Sequence, residues 1–388
     1  MAKRVILSVT NDVFADRRVH KMAMKLHSLG CEVTIIGRKS RQKIEKVSYA
    51  KIIRLRMLFK KKFCFYAEYN IRLFFFLLFR KVDILMPNDL DTLAANSLVA
   101  KIRSKKLIYD SHELFLESPE IVNRKSIRRF WSWVERVFIK NIYIGITVSP
   151  PILKHYKERY NKEFILIRNL PFLDEKPDRD IELPSYFNHS NIVLYQGSLN
   201  VGRGLETAIE AFSLIDNAIL ILIGSGDIET ELEELVKEQK LENKVFFTGR
   251  IPQDELVSYT YKAKLGLSIE EKLGKNYEYA LPNKLFAYIH ASVPVIVSDL
   301  PEMRKIVEHY KVGEVFKPEL LTEKETLKNN KVSDISNISH KSVVLAQLIS
   351  SMLDSPSKIE EYKNNCKSVA TELCWEKETE ILDTLIYQ

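Results

Sequence analysis

The sequence predicts an α/β protein made of two doubly wound domains. Short apolar runs of strand length alternate with segments whose apolar residues recur at helical spacing. That rhythm runs twice, on either side of a break at residues 169–188. Charge divides the same way. Residues 1–170 hold 35 Lys and Arg against 15 Asp and Glu, a net of +20, and the remainder holds 24 against 36, a net of −12. Two halves of opposite sign suggest two domains with different partners. A chain of 388 residues that is 46% hydrophobic can supply both cores.

In the first half, RVILSV (4–9) reads as a buried strand, TNDVFADRR as a polar loop, and VHKMAMKLHSLG as a helix stopped by Gly30. EVTIIG completes a strand–helix–strand unit within about 35 residues, the signature of a parallel pair. VDILMP, a helix over 91–103, KLIYDS, an amphipathic helix over 127–140 and IGITVS continue the pattern. Residues 169–188, with Pro171, Pro177 and Pro184 among charges, read as a linker. The second half runs NIVLYQG, GLETAIEAFSLI, AILILIGSG, ETELEELVKEQKL, KVFFTG, PQDELVSYTYKA, LGLSI, NKLFAYIHA and PVIVSD, alternating strand and helix. Residues 318–340 read as a polar insertion, and helices are predicted over 341–353 and 357–387.

Composition excludes several classes. The cysteines, Cys31, Cys64, Cys366 and Cys374, show no metal-ligand spacing and read as free, partly buried thiols in a reducing compartment. The opening apolar stretch is short for a signal peptide. The longest apolar run, Leu73 to Phe79, is far short of a bilayer span. A cytoplasmic protein is expected, peripheral at most to the inner membrane face. The basic half suits phosphorylated substrates or anionic lipid. It contains no recognisable nucleic-acid module, so no nucleic-acid partner is expected.

Several constellations could carry chemistry. Gly197, Ser198, Gly202, Arg203 and Gly204 lie between a strand and a helix. Glycines there let a ligand approach the backbone, a helix N-terminus offers N–H groups, and Arg203 supplies a cationic fork. Gly224 and Gly226 form a similar turn without a cation, and also suit a plain strand-to-helix turn. Leu281, Pro282, Asn283 and Lys284 open a helix, where a lysine opposes the macrodipole unless an anion lies nearby. Asp110, Ser111, His112 and Glu113 end a strand. His112 could donate to a sugar hydroxyl or phosphate there, and Ser111 or Asp110 could instead cap a helix. Asp12, Asp16, Arg17 and Arg18 follow the first strand, with one arginine expected at the strand ends and the other in solvent. Residues 59–81 and 124–138 interleave cations with aromatics, as an interfacial helix does, although the same stripe suits a core helix.

These pieces resemble the family-4 retaining glycosyltransferases of the GT-B fold. The second half carries YQGSLNVGRGLETAIEAF, LILIGSGD, VFFTGRIPQDEL and YALPNKLFAYIHASVPVIVSD. The first half is similar to a subgroup with a TNDVFADRRVHK-like opening, PNDLDTL and YDSHELFLESPE. The resemblance implies two Rossmann-like domains facing across a cleft. It places an acceptor-binding domain at 1–172, a nucleotide-sugar-binding domain at 173–368, and a helix at 369–388 that crosses back from CWEKE onwards.

It also implies roles. Arg203 and Lys284 hold the donor diphosphate and, with His112, are the expected catalytic residues. Gly197, Ser198, Gly202, Gly204, Gly224, Gly226, Leu281, Asn283 and Ala287 line the donor, and Asp16, Arg17 and Glu113 lie on the acceptor side. Many relatives carry two glutamates seven residues apart. Here the second falls at Ala287 and the first near Glu278 or Tyr279, while Ser198 stands where an arginine is common. The expected reaction is metal-independent and cofactor-free, with a UDP- or GDP-sugar as donor and a saccharide or lipid-linked saccharide as acceptor. Two rivals stand beside it: a sugar-nucleotide epimerase or hydrolase using Asp16, Glu113 and Glu117, and a non-catalytic partner protein, motivated by Ala287.

Overall fold

A computed structural model describes residues 2–40, 46–59, 62–177, 182–189, 191–318 and 338–387. They form two compact units. One comprises Met1–Asn169, Gly274–Asn276 and Glu378–Gln388, and the other Leu170–Leu273 and Tyr277–Lys377.

The first unit is a parallel sheet of seven strands: β1 (Arg4–Asp12), β2 (Glu32–Arg38), β3 (Lys51–Leu55), β4 (Ile84–Pro87), β5 (Lys106–Ser111), β6 (Ile144–Thr147) and β7 (Phe164–Leu166). Their order is β3-β2-β1-β4-β5-β6-β7. Its helices are α1 (Arg17–Ser28), α2 (Lys62–Leu78), α3 (Leu90–Arg103), α4 (Pro119–Val122), α5 (Lys125–Phe138) and α6 (Pro150–Tyr160). Val5, Ile6, Leu7, Ser8 and Val9 are all buried, as befits a central parallel strand covered on both faces. Asp16 caps α1 by accepting from the Val19 amide at 3.2 Å, and Gly30, at φ +80°, stops it as predicted.

The second unit has six parallel strands: β8 (Ile192–Gln196), β9 (Ile219–Ile223), β10 (Val245–Gly249), β11 (Leu265–Ser268), β12 (Val295–Ser298) and β13 (Gly313–Phe316). Their order is β10-β9-β8-β11-β12-β13. Its helices are α7 (Leu205–Ala211), α8 (Glu229–Glu238), α9 (Gln253–Thr260), α10 (Lys275–Glu278, of which Lys275 and Asn276 belong to the first unit), α11 (Asn283–His290), α12 (Pro301–Tyr310), α13 (His340–Leu353) and α14 (Pro356–Glu372). Alternate residues of β8 and β9 feed two cores. Val193, Tyr195, Leu220 and Leu222 face one, and Ile192, Leu194, Ile219 and Ile221 face the other. In each sheet the strand order reverses beside the first strand, between β1 and β4 and between β8 and β11. Ligands of open α/β sheets bind at the carboxyl ends of the strands at such points.

Three expectations change. The helix predicted over 357–387 ends at Leu373 (φ −91°, ψ 67°), and short helices α15 (Trp375–Glu378) and α16 (Ile381–Leu385) follow. The break satisfies backbone groups elsewhere. The Trp375 amide donates to the Pro171 carbonyl at 2.8 Å, and His290 Nε2 donates to the Leu373 carbonyl at 2.7 Å. The return to the first unit accordingly starts at Glu378, not at residue 369, because Val369, Ala370 and Leu373 are committed to the second unit's core. The segment 169–188 is also less of a spacer than its prolines suggest, since Leu170 and Phe187 are buried in that core. Finally, Cys64 is exposed, while Cys31, Cys366 and Cys374 are buried, and all four thiols are free. The polar insertion read at 318–340 lies, for residues 319–337, outside the described residues. Among the described residues no helix is long and apolar enough to cross a membrane.

Candidate functional site

In the second unit, two glycine turns meet at the carboxyl ends of the neighbouring strands β8 and β9. Gly197 (φ +145°) follows β8, and Gly224 (φ +139°) follows β9. The Gly197 amide donates to the Ile223 carbonyl at 2.9 Å, and the Leu199 amide to the Ser225 carbonyl at 3.2 Å. A Cβ on Gly224 would sit 1.8 Å from the Gly197 carbonyl oxygen, and one on Gly226 2.2 Å from that of Leu199. These glycines lock one turn onto the other. Gly204 (φ +71°) does the same against the Ile269 carbonyl. Gly224→Ala is therefore expected to destabilise the unit by about 3 kcal/mol or more, through backbone clash and a disfavoured φ. Urea denaturation measures it. The turn also has a cation that its own sequence lacks, because Arg250, after β10, donates through Nε to Ser225 Oγ.

Lys284 and Arg203 converge on one carboxylate. Glu270, just beyond β11, is buried, and its Oε1 lies 2.8 Å from Lys284 Nζ and 3.5 Å from Arg203 Nη1. Its Oε2 accepts from Ser268 Oγ at 2.9 Å. The Lys284 ammonium also lies 3.8 Å from the Tyr195 ring centroid, and the Arg203 guanidinium 5.3 Å from that of Tyr277. Lysine in the first turn of α11 thus has its anion in Glu270, which sequence reasoning missed. Burial opposes the charge on Glu270, but Lys284 and then Arg203 outweigh it and hold the carboxyl below its ordinary range. Burial pulls the Lys284 ammonium down to about 8, with Glu270 pulling the other way and Arg203 adding to the fall. Two cations on one carboxylate leave an excess of one positive charge at a strand end. Nearby, Asn283 is exposed, and Leu281, Ala287 and Ser198 are half-buried. The Ser198 carbonyl accepts from the Tyr195 hydroxyl at 2.7 Å. Gly202 (φ +83°) opens the turn that bears Arg203.

In the first unit, His112 sits between two carboxylates at the carboxyl ends of β4 and β5. Its Nδ1 is 3.4 Å from Asp89 Oδ2, and its Nε2 is 3.3 Å from Asp110 Oδ2. The His112 amide donates to Asp89 Oδ1 at 2.9 Å. Burial lowers the imidazole pKa, but Asp89 and Asp110 raise it further, to about 9. Asp110 does not cap a helix. It receives Arg18 Nε at 3.0 Å and Nη2 at 2.8 Å, and Arg18 Nη1 also donates to the Ile167 carbonyl at 2.9 Å. Burial opposes its charge too, yet Arg18 and His112 hold its carboxyl well below the usual range. Arg18 is thus the arginine that turns inward, while Arg17 is exposed.

Asp89, between β4 and α3, adopts φ +60°, ψ 168°, a conformation that costs a non-glycine residue about 1–3 kcal/mol. Asp91 receives the Thr10 hydroxyl, and burial followed by the Asp89 charge pushes its carboxyl up to about 7. The carboxylates named for a hydrolase have other engagements. Asp16 caps α1, Glu113 Oε2 accepts from Asn276 Nδ2 at 2.9 Å, and Glu117 pairs with Arg128.

Residues 180–330 match the family described as glycosyl transferases group 1, and residues 15–169 match glycosyltransferase family 4. Sucrose-phosphate synthase from Thermosynechococcus elongatus superposes with a TM-score of 0.76 at 19% identity, over 100% of this chain and 98% of that one. HepE of Anabaena, solved with UDP-glucose, gives 0.71 at 14% identity, over 99% and 100%. An uncharacterized glycosyltransferase of Methanocaldococcus jannaschii is 29% identical over 123 residues. That alignment spans 30% of this chain and 30% of the relative's length. Fold and family profiles agree on one class, a GT-B glycosyltransferase with two Rossmann-like domains. Within it, the match of the first half suggests family 4.

Proposed function

We propose that the protein is a retaining, family-4-type glycosyltransferase. It moves a sugar from a nucleotide-sugar, UDP- or GDP-linked, to a saccharide or lipid-linked saccharide during assembly of a surface polysaccharide or glycan. It works at the cytoplasmic face of the membrane, in peripheral contact with anionic lipid through its basic first unit, with no cofactor, metal ion or nucleic-acid partner.

The observation that carries this reading is the pair of cations, Arg203 and Lys284, around buried Glu270 at the carboxyl end of β11. Breaking the bond between the sugar's anomeric carbon and the β-phosphate oxygen leaves negative charge on that oxygen. The two cations stabilise it where it develops. The acceptor hydroxyl bonds to the same face of the sugar and passes its proton to the departing phosphate. His112, charged at neutral pH, is assigned to a ligand hydroxyl or phosphate oxygen. UDP-glucose in a relative of the same fold supports a UDP-sugar as the first donor to try.

A thermal-shift screen with UDP-, GDP-, ADP- and CMP-sugars tests the reading. One of the first two is expected to raise the Tm with increasing concentration. No shift with any of them overturns it, and conversion of the free sugar nucleotide without acceptor would move the activity to an epimerase or hydrolase.

A further inference from the structure

The outer helices of the first unit carry an apolar surface that a solvated face does not need. Helix α3 packs against both α2 and α5, so the three share one side of the sheet. Along α2, Phe63, Ile71 and Phe75 fall on one i, i+4 ridge with Ala67, and Phe79 extends it past the helix end. The four large residues are 56–80% exposed. The ridge is ~24 Å long at 1.5 Å per residue. On α5, Phe130, Trp133 and Val137 are exposed, and the Phe63 ring meets Phe130 edge-on at 5.4 Å, which joins the two helices into one patch. Patches of this extent mark interaction sites.

Cations flank the patch. Arg124, Arg128, Arg136 and Lys140 follow one i, i+4 ridge of α5 and its extension, and on the adjacent ridge Lys125 and Arg129 lead into Trp133 and Val137. Beside them a cavity of about 310 Å³ is walled by Lys125, Arg128, Arg129 and Arg159, with Leu116 and Ser132. Arg128 is paired with Glu117, and Arg159 Nη2 donates to Ser132 Oγ at 3.2 Å. Lys125 and Arg129 have no ion-pair partner among the described residues. Four cations around one small cavity select a compact anion, and Arg favours phosphate oxygens. Exposed aromatics beside unpaired cations fit a lipid interface. A protein interface, by contrast, tends to be depleted of charge at its core.

We propose that this helical layer docks on an anionic lipid surface, with the phosphate of one lipid headgroup seated in the cavity beside α5. The inference rests on the peripheral-membrane reading above and adds to it the face and the headgroup site. The test is co-sedimentation of the full chain with phosphatidylcholine vesicles, with and without phosphatidylglycerol, alongside Lys125→Ala/Arg129→Ala and Phe75→Ser/Phe79→Ser.

Wild type is expected to bind the anionic vesicles at least tenfold more tightly than the neutral ones. The cation variant should lose about fivefold per cation removed. The aromatic variant should bind both vesicles more weakly, and soluble glycerophosphoglycerol should compete poorly. Equal binding of wild type and cation variant to anionic vesicles overturns the headgroup site. Failure of wild type to bind either vesicle overturns the lipid surface and the peripheral reading, and leaves the patch to a protein partner. Both variants should keep the wild-type thermal shift with a sugar nucleotide. Donor binding therefore succeeds or fails separately from docking.

Discussion

Lys284→Met is expected to cut sugar transfer on the order of 10²–10³-fold, the usual effect of removing one donor of charge stabilisation from a site where an oxyanion develops. The same substitution strands Glu270 in a buried position, with Arg203 at 3.5 Å as its remaining cation. Breaking a buried ion pair from one side typically costs about 3–5 kcal/mol, so the variant should also be less stable. The two effects separate in Lys284→Met/Glu270→Gln, which leaves no buried charge unpaired. That variant should recover most of the stability in urea denaturation and none of the turnover. Turnover restored with stability would make the pair structural, and undiminished turnover in Arg203→Ala/Lys284→Ala would remove both from the diphosphate site. Because the Lys284 ammonium titrates near 8, donor affinity should weaken as pH rises through that value. A bound phosphate favours the charged amine, and the deprotonated amine has nothing to offer it.

Asp89→Asn should move the pH dependence of activity without abolishing the fold. In the wild type His112 keeps its proton to about 9 because Asp89 and Asp110 outweigh the burial that opposes it. Its pKa is raised above the unfolded value of about 6.5. The stabilisation it gives is therefore complete below pH 6.5 and is lost as pH rises through 9. Removing the Asp89 charge, the larger of the two that raise the imidazole, shrinks that window from its alkaline side. At pH 7.5 the variant should transfer sugar roughly tenfold more slowly, and it should regain most of the loss near pH 6. Asp89→Gly isolates the backbone from the charge. At φ +60° glycine relieves strain of about 1–3 kcal/mol, so this variant should be at least as stable as Asp89→Asn and show the same shifted profile. A pH–rate profile unmoved in both variants would leave Asp89 no part in holding the imidazolium.

The central strands were legible because they are covered on both faces and read as unbroken apolar runs. RVILSV, AILILIG and PVIVSD are of that kind. Of the four edge strands only β10, read in KVFFTG, was legible, and β3, β7 and β13 were not. Lys51 of β3 is exposed and the rest of that strand is half-buried, so KIIRL carries no such run. The site divides in a similar way. Arg203, Lys284 and His112 announced themselves as polar residues beside turns at strand ends. Glu270 sits in the charged run SIEEK, which reads as solvated, and its meaning comes from Lys284, fourteen positions away. Asp89 and Arg250 were passed over for the same reason, and Arg18 was named without its partner Asp110. Each acts through a partner brought in from another strand, and one-dimensional spacing does not encode that.

The return of residues 378–387 to the first unit has a consequence for synthesis. Glu378 receives Arg168 Nε at 2.9 Å and Nη2 at 2.7 Å. The Leu385 carbonyl accepts Lys106 Nζ at 2.7 Å, and Asp383 pairs with Lys25 at 2.6 Å. These partners reach α1, β5 and the end of β7, which leave the ribosome early. The segment that ties them together leaves it only after the whole second unit has been translated. During that interval the seven-stranded sheet must persist without its last contacts, so the half of the protein made first is the half completed last.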